Sequence, residues 1–171
     1  LLLLDGDGLS IDAKVAANRI RSGTGCRVAL GCFPARIDGG AGLPSVERLP
    51  YFPEHVLGFL NGVSQLVLAG AQTPASFFAY PDTPGILLPE GCEDIRLSDN
   101  HENTTAALQA IAEHLGLASA EYDIDHPMKS ELPNGQLTTA GVAAALANCL
   151  PEGAIVCTDS GGGGAAFGPT R

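Results

Sequence analysis

The chain has 171 residues, 45% hydrophobic and 16% charged, which is enough apolar material for one domain or for one domain and part of another and excludes a disordered tail. No apolar run is long enough to span a bilayer as a helix, so no membrane partner is expected. With 19 acidic against 9 basic residues, a formal charge of -10 and no Lys/Arg cluster, the chain lacks the field that nucleic acid or an anionic membrane requires.

Taken in order, the leucines 1–4 form an apolar start with no basic flank or cleavage site, which reads as a strand cut into rather than a signal peptide. Asp5-Gly6-Asp7-Gly8 is then a tight turn, and an alanine-rich pattern over residues 10–21 predicts a helix capped by Ser10 or Asp12. After the stop at Gly23-Thr24-Gly25, residues 26–30 are β-prone, and a long irregular loop runs over residues 33–50. A helix is predicted over 54–60, and strands over 65–68, 86–88 and 95–97. Residues 104–115 place Ala107, Leu108, Ile111, Ala112 and Leu115 on one helix face. Short strands alternating with helices predict an α/β fold: a Rossmann-like parallel sheet with helices on both faces, whose ligands sit beyond the carboxyl ends of the strands.

Periodicity stops in the stretch 119–136, where polar residues and prolines mark a linker, so the first domain is set at 1–118. Beyond it, Thr138 or Thr139 caps a helix to about residue 150, Pro151-Glu152-Gly153 turns, and residues 154–157 are predicted as a strand. The chain then runs into Gly161 to Gly164. One helix, one strand and a glycine loop cannot bury a core, so 137–171 reads as the truncated start of a second α/β domain.

Few motifs carry chemistry. Gly6-Asp7-Gly8 imitates a magnesium-diphosphate signature, but Cys32, Phe33, Pro34, Ala35 and Arg36 occupy the window where its asparagine belongs, so a plain strand-to-helix turn is expected. A dinucleotide site fails on spacing, with Ile11 in the third glycine's place, and Asp5 and Asp7 would repel phosphate. Arg36 and Arg48 could clamp an anion, although surface or inter-subunit ion pairs are the plainer role. His55, His101, His114 and His126 are dispersed, and Phe77, Phe78 and Tyr80 are assigned to core or interface packing. The five cysteines, Cys26, Cys32, Cys92, Cys149 and Cys157, are odd in number with no C-x-x-C pair; reduced, buried thiols in the cytoplasm fit that pattern. No catalytic or metal-ligating residue is named.

Several segments together resemble one family: residues 1–10, Cys32-Phe33-Pro34-Ala35-Arg36, Val46-Glu47-Arg48-Leu49-Pro50-Tyr51-Phe52-Pro53-Glu54, Leu66-Val67-Leu68-Ala69-Gly70-Ala71, Phe77-Phe78-Ala79-Tyr80-Pro81 and Leu88-Pro89-Glu90-Gly91-Cys92. They are similar to the thiamine diphosphate enzymes of the acetolactate synthase large subunit group, near benzoylformate decarboxylase. The resemblance covers nearly the whole chain, and the run 47–54 is its most distinctive part. It implies that 1–118 is the central Rossmann-like domain and 137–171 the start of the diphosphate-binding domain. Asp159, Ser160, Gly161, Gly162 and Gly163 would then lie in the loop that approaches the cofactor, although Thr158 and the glycine run depart from the family's usual acidic pair and Thr-Ser-Gly turn. Thiamine diphosphate and magnesium are the implied cofactors and a 2-oxo acid the implied substrate, with acetolactate synthesis and aryl 2-oxo acid decarboxylation both open. A homodimer or homotetramer is implied for the full-length parent. The activating glutamate and the magnesium site fall in parts of the family pattern outside these residues, so the fragment alone is expected to be inactive. Related central domains hold FAD, ADP or nothing, and the acidic first turn favours nothing. The competing expectation is a stand-alone Rossmann-like module for a nucleotide or small ligand.

Overall fold

The computed structural model describes residues 1–79, 81–126, 131–151 and 153–157. The chain divides into two compact units, Leu1–His126 and Pro127–Arg171, a division that falls inside the stretch 119–136. The front of that stretch belongs to the first unit: the Gly42 N–H donates to the Asp125 carbonyl at 2.7 Å, the Asp125 N–H donates to the Leu43 carbonyl at 2.9 Å, and the Arg19 guanidinium lies 5.6 Å from the centre of the Tyr122 ring.

In the first unit β1 (Leu2–Leu4), β2 (Val28–Leu30), β3 (Glu47–Arg48), β4 (Gln65–Ala69) and β5 (Glu93–Ser98) form one sheet in the order β3-β2-β1-β4-β5. Every pairing is parallel, as a Rossmann-like α/β fold requires. Leu3 stands opposite Ala29 on one side and Leu68 on the other. Because side chains alternate across a strand, Leu2, Leu4, Val28, Leu30 and Ala69 face one core, while Leu3, Ala29, Leu66 and Leu68 face the other. The first core is closed by α1 (Ile11–Thr24) and α3 (Thr104–His114), through Ala13, Ala17, Ile20, Leu108 and Ala112. The second is closed by α2 (Pro53–Phe59) with Leu49, Val56, Leu60 and Leu87. Each leucine so buried contributes roughly 1.5–3 kcal/mol.

Local chemistry sets the helix ends. Ser10 is the α1 cap, its Oγ accepting the Ala13 N–H at 3.3 Å, and α1 stops at Gly25, whose φ of 72° is left-handed. Proline at N1 opens α2. Asn103 caps α3 by accepting the Ala106 N–H at 2.8 Å.

Three expectations change. Residues 47–48, read as loop, are the edge strand β3, held by pairing with β2 and by the Glu47 ion pair to Arg27. A two-residue Glu-Arg strand has no apolar alternation to announce it. Residues 86–88 are not a strand; Ile86 makes a single antiparallel bridge to Ala75. Residues 154–157 are not a strand either, because a parallel strand needs a neighbour and no strand pairs with them among the described residues. In the second unit α4 (Thr139–Cys149) is capped by Thr138, whose Oγ1 accepts the Gly141 N–H at 3.0 Å.

Candidate functional site

Strand order reverses between β1 and β4, and the crevice beyond the carboxyl ends of these strands is where open α/β sheets bind ligands. The turns leaving the two strands pack backbone against backbone there. Gly70 has φ +69°, and a Cβ on it would stand 2.6 Å from the Asp5 carbonyl oxygen and 2.9 Å from Thr104 Oγ1. A Cβ on Gly8 would stand 2.9 Å from the Ala69 carbonyl oxygen. The pair is tied to the next strand by the Gly70 N–H donating to Ser98 Oγ at 3.0 Å, and Ser98 and Thr104 share a buried hydroxyl hydrogen bond of 2.9 Å.

The Gly6-Asp7-Gly8 run is a short 3-10 helix, Gly6–Leu9, leading from β1 into α1, so it serves as a strand-to-helix turn. The Asp7 carboxylate accepts both the N–H and the Oγ1–H of Thr105 at 2.9 Å. An aspartate of the chain itself therefore satisfies the first turn of α3, the position at which a phosphate would otherwise be drawn. Asp12 and Glu102 flank the same shallow depression and add to its negative field.

On the α2 face of the crevice lies a cup of about 300 Å³. Its floor is Leu3, Leu49, Val56, Ala71 and Leu87, with the Asp5 carboxylate at one side. Three rings from three separate loops form its rim. Phe33 follows β2, Tyr51 precedes α2 and Phe77 follows β4; their centroids are 5.7 Å (Phe33–Tyr51), 5.0 Å (Phe33–Phe77) and 6.0 Å (Tyr51–Phe77) apart. The run 47–54 now has a physical reading. Glu47 and Arg48 pair with β2, Leu49 drops into the core, Tyr51 reaches the rim, and Pro53 starts α2.

Other candidates fall elsewhere. Arg36 ion-pairs with Asp38 at 3.0 Å and Arg48 Nε donates to the Cys32 carbonyl at 3.0 Å, so the two share no anion clamp. Phe77 and Phe78 are not core: they are 50% and 57% exposed, because the loop after β4 runs outside the sheet rather than beneath a helix and carries Phe77 to the rim. Tyr80 lies outside the described residues. His55 packs edge-on against Phe52 at 5.9 Å. All five cysteines are free; Cys26, Cys32 and Cys92 are half-buried, whereas Cys149 and Cys157 are exposed, since no core forms over α4 or residues 154–157 among the described residues. Asp159, Ser160, Gly161, Gly162 and Gly163 lie outside the described residues.

Two groups escaped the sequence reading. Asp5, expected only to repel phosphate, borders the cup. Lys14 is almost wholly buried in α1, where its ammonium donates to the Pro44 carbonyl at 3.4 Å and so fastens the long loop to the helix. Burial lowers the Lys14 pKa, against the opposing pull of Asp38 and Asp125. At the cup, burial pushes the Cys32 thiol up, partly offset by Arg48.

No family model matches the chain, and no solved structure matches it. The chain is 39% identical over 160 residues to a protein of Mycobacterium tuberculosis (strain ATCC 25618 / H37Rv) described as "Putative acetolactate synthase large subunit IlvX". That alignment takes in 94% of this chain and 31% of the relative, so the chain spans less than a third of the relative's length.

Proposed function

We propose that this chain is part of a thiamine diphosphate- and magnesium-dependent enzyme acting on 2-oxo acids, of the acetolactate synthase-like kind, either a carboligating transferase or a decarboxylating lyase. The observation that carries the reading is the 39% identity along 94% of the chain. In this reading residues 1–118 are the central scaffold domain, 119–136 the linker and 137–171 the opening of the cofactor domain. The backbone N–H groups of Asp159, Ser160, Gly161, Gly162 and Gly163 approach the cofactor diphosphate. The parent works as a cytoplasmic homodimer or homotetramer.

The described residues do not by themselves fit a diphosphate with its magnesium. No group of three or more His, Cys, Asp or Glu that could hold a metal occurs among them, and the first turn of α3 is occupied by Asp7. No chemical step is therefore assigned to them. Their contribution is mechanical: a sheet closed on both faces, locked at its switch point by Gly70, Ser98 and Thr104. In this reading the 171-residue chain alone turns over no 2-oxo acid.

Isothermal titration of the chain with thiamine diphosphate and magnesium tests the placement of the site. No heat of binding is expected at micromolar concentrations, and clear micromolar binding would show that the cofactor site lies within these residues. The competing reading is a stand-alone Rossmann-like module for a small ligand. The cup at the switch point is the observation on its side.

A further inference from the structure

The cup combines features that the scaffold role leaves unused. Phe33, Tyr51 and Phe77 are 64%, 41% and 50% exposed although they come from three loops and converge on one rim. Aromatic rings left this open at the mouth of a cavity mark a place where a flat apolar surface can be covered. A volume of about 300 Å³ stands at the small end of ligand pockets, which run roughly from 300 to 1,000 Å³, and suits a molecule of one or two rings rather than a dinucleotide.

Charge narrows the class further. Asp5 Oδ1 accepts the Gly6 N–H at 2.7 Å, while Asp5 Oδ2 accepts no hydrogen bond from a described residue. No Lys, Arg or His is among the described residues lining the cup. A phosphate or carboxylate entering would meet the Asp5 carboxylate with no cation in the lining to offset it, since Arg48 beside Cys32 is held by the Cys32 carbonyl, whereas an N–H-bearing group would satisfy the spare acceptor and gain a charge-assisted bond. An amidinium or protonated amine beside the rim would also be attracted by the ring faces.

We propose that the cup binds a small, unphosphorylated, planar aromatic molecule carrying an amino or amidine group, with its ring under Phe33, Tyr51 and Phe77 and its N–H group on Asp5. Neither the ligand class nor its test depends on which reaction the parent performs.

Benzamidine is the probe. Titrated into the 171-residue chain, it should bind saturably at submillimolar concentration, while benzoate and adenosine monophosphate give no saturable heat at the same concentrations. Asp5→Asn keeps an oxygen for the Gly6 N–H and should weaken benzamidine at least about tenfold. Phe33→Ala, at a largely exposed position, gives a second variant that should fold and should also weaken it. Bound benzamidine should slow iodoacetamide alkylation of Cys32, read by mass spectrometry, and leave exposed Cys149 unchanged. Benzoate binding as well as benzamidine overturns the proposal, as do absence of benzamidine binding, unaltered affinity in both variants, or alkylation of Cys32 at the same rate with and without the probe.

Discussion

Lys14 and Gly70 show how much single residues decide here. Burial sets the folded Lys14 pKa below its ordinary 10.5, so the unfolded chain holds that proton more tightly. The cost of burying the charge is therefore fully present below the lowered value and is relieved as pH rises through it towards 10.5. Lys14→Met, which keeps the apolar stem, removes this term. The stability of Lys14→Met relative to the wild type, measured by urea denaturation, should fall steadily as pH is raised over that window; a constant or growing difference would contradict the assignment. Gly70 is constrained twice, by φ +69° and by the Asp5 carbonyl 2.6 Å from where a Cβ would be. Gly70→Ala should destabilise by about 3 kcal/mol, the left-handed backbone accounting for about 1 and the clash for the rest. A loss below about 1 kcal/mol in the same denaturation experiment would mean that the two turns are not locked together.

Elements were legible in proportion to how much of their signal is local. The periodicity of α1 and α3 and the apolar runs of β1, β2 and β4 follow from burial on one face or both, and these elements lie where the sequence places them. β3 was hidden because its pairing with β2 is decided by the loop that returns to the sheet, not by Glu47 and Arg48 themselves. The cup was hidden for a related reason. Phe33, Tyr51 and Phe77 are far apart in sequence, and only the strand order brings their loops together. The opposite error occurs at residues 154–157, whose β-prone composition has no pairing partner among the described residues. α4 is the element where propensity and capping stand almost alone. None of its described residues is buried, and a helix of 11 residues is marginal without packing. Hydrogen exchange should show α4 amides exchanging at least about a hundredfold faster than those of α1, whose Ala13, Ala17 and Ile20 lie in the core. Equal protection would show that α4 has a packing surface in this chain.

At the scale of the whole molecule, one unit has two cores on an open sheet covered on both faces, while the other leaves Leu137 and Ile155 86% and 93% exposed. Apolar side chains this exposed fit a domain completed by further chain, which agrees with an alignment spanning 31% of the relative. The catalytic part of the site was not legible within these residues, because the resemblance itself assigns the activating glutamate and the magnesium ligands elsewhere. The proposed diphosphate loop, Asp159 to Gly163, lies outside the described residues. The central claim is thus about a larger reading frame, and sequencing the source DNA on both sides of the coding stretch tests it most directly. The frame should continue past Arg171 into a Gly-Asp-Gly followed by an asparagine about 25–30 residues later, the spacing of a carboxylate and amide set for magnesium. A start codon at Leu1 together with an in-frame stop directly after Arg171 would contradict it.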